Sequence, residues 1–341
     1  MTEKKIKIVR TDQELECPHV DRVLAEKNFE LILLPDNVAE QRLLMETRDA
    51  DLILMCYTPI TARIIDNAVK LKGIVKYGVG IDAIDIEAAQ ARKIPVVNIP
   101  EYAEETVAEG AFTLMIALAK KLIPLNNTML QHGWAWPTAC WLASDLAEKT
   151  VGLVGTGRIG RSMARMAGAG FRAHILGYDP NVSAETMKTH GIEKIDDLNT
   201  MLAQCDFVSI HSVLNETSHH LIGKKELDSM KTDAFLINVS RGAIIDELAL
   251  VEALKSGQIA GAGLDVYSEE PLSKTSHALS ELYAMDNVIL FPHLTFYTTE
   301  AMHRLEEETL RHCFEILEGR PVLIKSKDPR LLGQKHGVVF E

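Results

Sequence analysis

The stretch Thr150-Val-Gly-Leu-Val-Gly-Thr-Gly-Arg-Ile-Gly160 decides how this chain is to be read. An apolar run ends in glycines spaced Gly155-x-Gly157-x-x-Gly160, and a helical pattern opens at Arg158. The first glycine allows a tight turn, the second lets backbone approach a pyrophosphate, and the third permits close helix–strand packing. The helix start adds unpaired N–H groups and a positive dipole end, so Arg158 and Ile159 join the same phosphate cradle. Alone, the motif also fits a glycine-rich turn that holds no ligand. Its context is more specific. Asp179 follows Gly160 by nineteen residues, at the end of the next apolar run, where an acid binds ribose hydroxyls. No Lys or Arg lies between Asp179 and Lys188 to hold a 2′-phosphate, which favours NAD over NADP.

Strand-like and helix-like runs alternate on both sides of this segment. Before it, Lys5–Val9, Glu30–Leu34, Asp51–Met55, Gly73–Lys76 and Pro95–Asn98 read as strands, with helices near 19–28, 37–48, 61–70 and 85–92. A long helical stretch, Glu104–Leu122, leads into a second series: Thr150–Val154, His174–Tyr178, Phe207–His211, Ala234–Asn238, Gly261–Asp265 and Val288–Phe291. Helices fit there at 158–168, 197–204, 224–230 and 246–256, and a last one over roughly 298–318 stops at Gly319-Arg320-Pro321. This pattern predicts an α/β protein with two doubly wound parallel-sheet, Rossmann-like domains. The N-terminal domain is expected to be flavodoxin-like and completed by the C-terminal helix. Its residues would be 1–100 plus 298–341, with 101–297 forming the dinucleotide-binding domain.

The 341 residues suffice for two cores, and 47% hydrophobic with 25% charged residues excludes disorder as the main state. Thirty-six Lys and Arg against 48 Asp and Glu leave a net charge of −12, which disfavours nucleic acid as a partner. The opening MTEKKIKIVR has no apolar core of a signal peptide, and Gly110–Ala119 is too short to span a bilayer. Five scattered cysteines show no metal-ligand spacing, so no metal is expected, and they fit reduced thiols in a cytoplasmic protein.

Three further stretches end or follow expected strands: Ile237-Asn-Val-Ser-Arg-Gly-Ala243, Gly263-Leu-Asp-Val-Tyr-Ser-Glu-Glu-Pro271 and Phe291-Pro-His-Leu-Thr-Phe-Tyr-Thr298. With the glycine motif, Lys76-Tyr-Gly-Val-Gly-Ile-Asp82 and Thr106-Val-Ala-Glu109, the chain resembles the NAD-dependent D-isomer-specific 2-hydroxyacid dehydrogenase family over nearly its whole length. That resemblance implies hydride transfer between NAD(H) and a small D-2-hydroxy acid/2-keto acid pair. Residue by residue, it assigns Arg241 to the substrate carboxylate and reacting oxygen, His293 to general acid/base work and Glu270 to its carboxylate partner. The chemistry wants these types: Arg presents a bidentate fork, and a carboxylate fixes an imidazole's tautomer and favours its charged form. Singly, each has an ordinary alternative as an ion-pair, turn or loop residue.

The resemblance also implies that the Val79 and Gly80 amides bind the substrate carboxylate, so the N-terminal domain would be the substrate-binding one. Thr106, Ser212, Val213, Thr217, Val239 and Asp265 match cofactor-contacting positions, with Asp265 expected to face the nicotinamide carboxamide. His211 reads as a pocket-wall residue. Glu104–Leu122 resembles a dimer-forming helix, implying a homodimer. Two departures bear on substrate. Phe296 and Tyr297 stand where many members have small residues, as in the D-lactate dehydrogenase branch. The loop Met55-Cys-Tyr-Thr-Pro59 lacks the Arg of relatives that bind phosphorylated substrates. Unphosphorylated 2-keto acids with small or apolar side chains are therefore expected, unless the fold turns Arg63 or Lys76 toward the substrate. The alternatives are a phosphoglycerate- or hydroxypyruvate-type member of the family, an NAD-sensing corepressor-like interaction protein, and a formate-type dehydrogenase, which Glu270 disfavours.

Overall fold

The computed structural model describes residues 5–341, so the first four residues of the N-terminal stretch discussed above lie outside it. The chain forms two compact units, one running up to Ala103 and resuming at Thr298–Glu341, the other Glu104–Tyr297.

The first unit is built on five parallel strands: β1 Lys7–Arg10, β2 Glu30–Leu33, β3 Leu52–Met55, β4 Gly73–Lys76 and β5 Val96–Asn98. Their order, β2-β1-β3-β4-β5, is flavodoxin-like, and its direction reverses between β1 and β3. β3, β4 and β5 are buried throughout, as expected for strands covered on both faces. The helix Thr299–Leu317 completes this unit. Its buried Glu306 accepts the His19 and Val20 amides, at 2.7 and 2.9 Å, at the start of the helix Pro18–Glu26.

The second unit holds seven strands: β6 Thr150–Val154, β7 His174–Tyr178, β8 Glu193–Lys194, β9 Phe207–Ile210, β10 Phe235–Asn238, β11 Gly261–Leu264 and β12 Val288–Leu290. All pair in parallel, in the order β12-β11-β10-β9-β6-β7-β8. The reversal lies between β6 and β9, the place where open α/β sheets bind ligands. Alternation sends Val151, Leu153, Phe207, Phe235 and Ile237 to one face, against Ala111, Leu114, Met115 and Leu118 of the helix Glu104–Ala119. Val154, Val208, Ile210, Leu236 and Leu264 face the other side with Leu250 and Leu254.

Several details differ from the sequence reading. The helix expected through Leu122 stops at Ala119, because Lys121 takes a left-handed conformation (φ 50°) and a separate helix, Leu122–His132, begins. The first of these helices is buried in its own unit. The exposed apolar side chains follow it: Leu122, Ile123, Leu130, Trp134, Trp136 and Leu142. The two-residue β8, the helix Ala184–Thr189 and a small parallel pair, β13 Val322–Ile324 with β14 Val338–Phe340, were not anticipated. Among the described residues no helix is long and apolar enough to cross a membrane, and all five cysteines are free.

Candidate active site

The glycine turn is shaped by contacts that leave no room for side chains. Gly155 sits at φ +95°, and a Cβ there would lie 2.7 Å from the His211 carbonyl carbon and the Ser212 nitrogen. A Cβ on Gly160 would collide with the Gly155 carbonyl, so the helix Arg158–Arg165 rests directly on the turn. Gly157 faces open space and is the N-cap of that helix, which as a glycine it caps with no side chain. The cradle thus meets two of a dinucleotide's requirements: close backbone approach and the positive helix end. Arg158 turns away and pairs with Glu104 at 3.0 Å, and Ile159 is partly buried against the helical face of the sheet. Asp179 follows β7. One of its oxygens accepts the Thr156 amide at 2.9 Å and the other the Asn181 amide at 2.9 Å, so the acid is fixed beside the turn.

The segment after β9 lies at the reversal point. The Ser212 hydroxyl donates to the Val154 carbonyl at 3.0 Å, while Val213 is exposed. The Thr217 hydroxyl and amide both bond to the Asn215 side chain. His211 lies behind the turn, with both ring nitrogens buried and unpaired among the described residues, and burial pushes its pKa down to about 3. Its ring is neutral.

Arg241 follows β10 on a turn that Asn238 organises. The Asn238 amide donates to the Arg241 carbonyl at 2.9 Å, and its oxygen accepts the Ser240 amide at 3.0 Å. Gly242 is required here, because a Cβ would collide with the Tyr267–Ser268 backbone. That approach brings the arginine turn against the segment that carries Glu270.

Glu270 is held by two interactions. Oε1 accepts the Tyr267 amide at 2.9 Å, and Oε2 meets His293 Nδ1 at 2.8 Å. Burial pushes its carboxyl up, but the hydrogen bond and charge of His293, the Tyr267 amide and the Arg241 charge outweigh it. The carboxyl is held below the usual range. His293 occupies the left-handed region (φ 59°), a strained conformation for a non-glycine residue that its surroundings must enforce. They do so through Asp265, whose oxygens accept the Leu294 amide at 2.8 Å, the Thr295 amide at 3.1 Å and the Thr295 hydroxyl. Burial pushes the Asp265 carboxyl up, and those bonds offset this only in part. Asp265 was expected to face a carboxamide; both its oxygens are engaged in the turn that presents His293. Phe296 is buried with its ring edge-on to His293 at 6.3 Å, whereas Tyr297 is half-exposed. Thr106 and Val239 are buried, at the start of the helix Glu104–Ala119 and after β10.

The structure thus brings Arg241, Glu270 and His293 together, and Asp179 with the glycine turn. Sequence reasoning missed Tyr267 and Thr295. Tyr267 presents its amide to Glu270, and its hydroxyl donates to the Phe291 carbonyl at 2.9 Å, tying the loop after β11 to the end of β12. Their signal was only proximity to Glu270 and His293.

In the first unit, Val79 and Gly80 lie on the loop after β4. The Val79 carbonyl accepts the Asn98 amide at 2.6 Å, and neither the Val79 nor the Gly80 N–H has an acceptor among the described residues. Arg63 is exposed and pairs with Glu40 at 3.0 Å. Lys76 behaves otherwise. As the last residue of β4, beside Met55 of β3, it buries its ammonium in the loop after β3, which Cys56 and Tyr57 had suggested was uncharged.

Residues 112–295 match the family model for the D-isomer specific 2-hydroxyacid dehydrogenase, NAD binding domain. The chain is 37% identical over 314 residues to the glyoxylate reductase of Thermococcus litoralis, covering 89% of this chain and 93% of that one. It is 37% identical to the D-3-phosphoglycerate dehydrogenase of Methanocaldococcus jannaschii over 92% of this chain but 58% of that one. Among solved structures it is similar to the D-lactate dehydrogenase of Aquifex aeolicus complexed with NAD and lactic acid, with TM-score 0.81, 29% identity and coverage of 92% and 98%. The chain belongs to the D-isomer specific 2-hydroxyacid dehydrogenase family and is an NAD-linked oxidoreductase of 2-hydroxy and 2-keto acids.

Proposed function

We propose that the enzyme interconverts a small 2-keto acid and its D-2-hydroxy acid, with Arg241, Glu270 and His293 as its catalytic residues. The observation that carries this assignment is the 2.8 Å Glu270–His293 pair beside the arginine turn. Bound NAD(H) supplies or accepts the hydride. Because Nδ1 faces Glu270, Nε2 is assigned to proton exchange: it protonates the keto oxygen in reduction and takes the proton back in oxidation. Arg241 holds the substrate carboxylate by its guanidinium fork, and the Val79 and Gly80 amides are the expected donors of the substrate-binding unit. On the cofactor side, Gly155, Gly157 and Gly160 with the first amides of the helix Arg158–Arg165 receive the pyrophosphate, and Asp179 the ribose. Thr106, Ser212, Val213, Thr217, Val239 and Asp265 complete that assignment.

We also infer a cytoplasmic homodimer. The exposed apolar side chains between Leu122 and Leu142 support self-association, and the free thiols support a reducing compartment. The activity is tested by following NADH absorbance with glyoxylate, pyruvate, hydroxypyruvate and phenylpyruvate. Turnover of at least one, with the D product, is expected; no oxidation of NADH by any of them would overturn the reading.

A further inference from the structure

Tyr267 bonds to both sides of the Glu270–His293 pair. Its amide donates to Glu270 Oε1 at 2.9 Å, and its hydroxyl donates to the Phe291 carbonyl at 2.9 Å, two residues before His293. The hydroxyl also lies 3.2 Å from the Leu264 carbonyl at the end of β11, but that carbonyl already accepts the Phe291 amide at 2.8 Å. A phenol has one hydrogen, so the bond across to Phe291 is the one it makes. Burial, with Asp265, Tyr283 and Glu270 adding to it, pushes the Tyr267 hydroxyl well up, and it stays a donor at any working pH. On the other side of His293, the Leu294 and Thr295 amides are held by Asp265, two residues before Tyr267. The loop after β11 therefore grips the His293 turn before and after the ring while it carries Glu270 itself. That loop is in turn fastened to its surroundings. The Ser268 amide donates to Glu247 Oε1 at 2.8 Å, and a Cβ on Gly242, next to Arg241, would lie 2.0 Å from the Tyr267 carbonyl carbon.

Two side chains on different loops stay in register only as well as the bonds that join those loops. Before His293, the joining bond is the single Tyr267 hydroxyl. His293 itself is held at φ 59°, a conformation that relaxes when its anchors are removed. A small change of that backbone lengthens a 2.8 Å contact on which the charge state of the ring depends. We propose that Tyr267 is a positioning residue for proton transfer, its hydroxyl keeping the His293 turn in register with Glu270. This rests on the catalytic assignment above and adds to it a residue that acts through Glu270 and His293. The ring belongs to the apolar cluster on one face of the second sheet, so Tyr267→Phe keeps the packing and removes only the bond.

The test is a double-mutant cycle of Tyr267→Phe and Glu270→Gln. kcat, KM and the pH profile of keto-acid reduction are read from NADH absorbance, NADH binding from fluorescence, and Tm from thermal unfolding. Loss of one hydroxyl bond predicts that Tyr267→Phe lowers kcat about five-fold and leaves KM and the Kd for NADH within about two-fold. The falling limb of the profile should move to lower pH, as expected of an imidazolium whose carboxylate partner is loosened. In the Glu270→Gln background, where the carboxylate is gone, the same change should cost less than about two-fold. A lowered Tm with kcat and the pH profile unmoved would make Tyr267 a purely structural residue and overturn the proposal. Equal losses in both backgrounds would also overturn it, because the hydroxyl would then act outside the pair. If Glu270→Gln by itself left kcat and the pH profile unchanged, the catalytic assignment would fail and the positioning role with it.

Discussion

Replacing Glu270 by Gln removes one charge and also creates a hydrogen-bonding conflict that the structure makes explicit. The carboxylate accepts twice, from the Tyr267 amide at 2.9 Å and from His293 Nδ1 at 2.8 Å. An amide has one acceptor and one donor end. If its oxygen keeps the Tyr267 amide, its NH2 faces Nδ1 and can bond only to the unprotonated nitrogen, which moves the neutral ring's proton to Nε2. If its oxygen faces His293, the NH2 meets the Tyr267 N–H, donor against donor. Either arrangement disfavours the doubly protonated ring that reduction requires. A hydrogen bond between charged groups contributes about 1.5–3 kcal/mol. With the two side chains 26% and 31% exposed, solvent screening places this pair at the lower end, about 1.5 kcal/mol. The sign follows from which form loses its partner. The doubly protonated ring loses its carboxylate partner, so the falling limb of kcat/KM for keto-acid reduction moves to lower pH. The rising limb for hydroxy-acid oxidation moves the same way. Both profiles are read from NADH absorbance between pH 5 and 9, with cofactor binding checked by fluorescence. An unmoved profile, or one displaced to higher pH, would refute the reasoning.

With Asp179 as the proposed ribose-binding acid, its charge would exclude a 2′-phosphate, so NADH should exceed NADPH in kcat/KM by about 2 kcal/mol, or thirty-fold. Asp179→Ala should cut that preference to a few-fold while also weakening NADH, because the Thr156 amide loses its acceptor; an unchanged ratio would remove Asp179 from cofactor selection. In the first unit, Glu308 lies 3.1 Å from Lys325. Burial raises its carboxyl, but His312, Lys325 and Arg311 outweigh this and bring it down from 4.5 to about 2. A lowered carboxyl stabilises the fold above its unfolded value and loses that contribution as the pH falls from about 4.5 toward 2. Linkage gives about 3 kcal/mol, which solvent contact reduces to about 1–2. Glu308→Gln should therefore lower Tm at pH 7 and flatten its decline below pH 4.5. An equal Tm at pH 7 would show that the cluster contributes nothing.

Much of the fold is legible in the sequence because parallel strands covered on both faces are written as continuous apolar runs. β6 and β7 coincide with Thr150–Val154 and His174–Tyr178, and β4 with Gly73–Lys76. The glycine turn was legible for a steric reason, since Gly155 and Gly160 occupy positions where a Cβ meets backbone. What failed lacked a pattern. β8 has two residues and no apolar period, and the break at Lys121 is hidden because Leu122 and Ile123 continue the apolar run although they are exposed. The placement of Lys76 depends on β4 lying beside β3, which brings residues twenty positions apart into hydrogen-bond contact. The engagement of Asp265 with Thr295 likewise joins the ends of β11 and β12, a relation that no local motif records.

His293 is the proposed proton-transfer group of this NAD-linked dehydrogenase, and one paired measurement tests that role most directly. His293→Asn suits the position because asparagine tolerates the left-handed backbone found there, where alanine would add strain. NADH binding is measured by fluorescence titration, and keto-acid reduction by absorbance on the best substrate of the wild type. Kd for NADH should stay within about two-fold, while kcat falls by a factor of about 100–10,000. Near-wild-type turnover by His293→Asn with cofactor binding intact would contradict it.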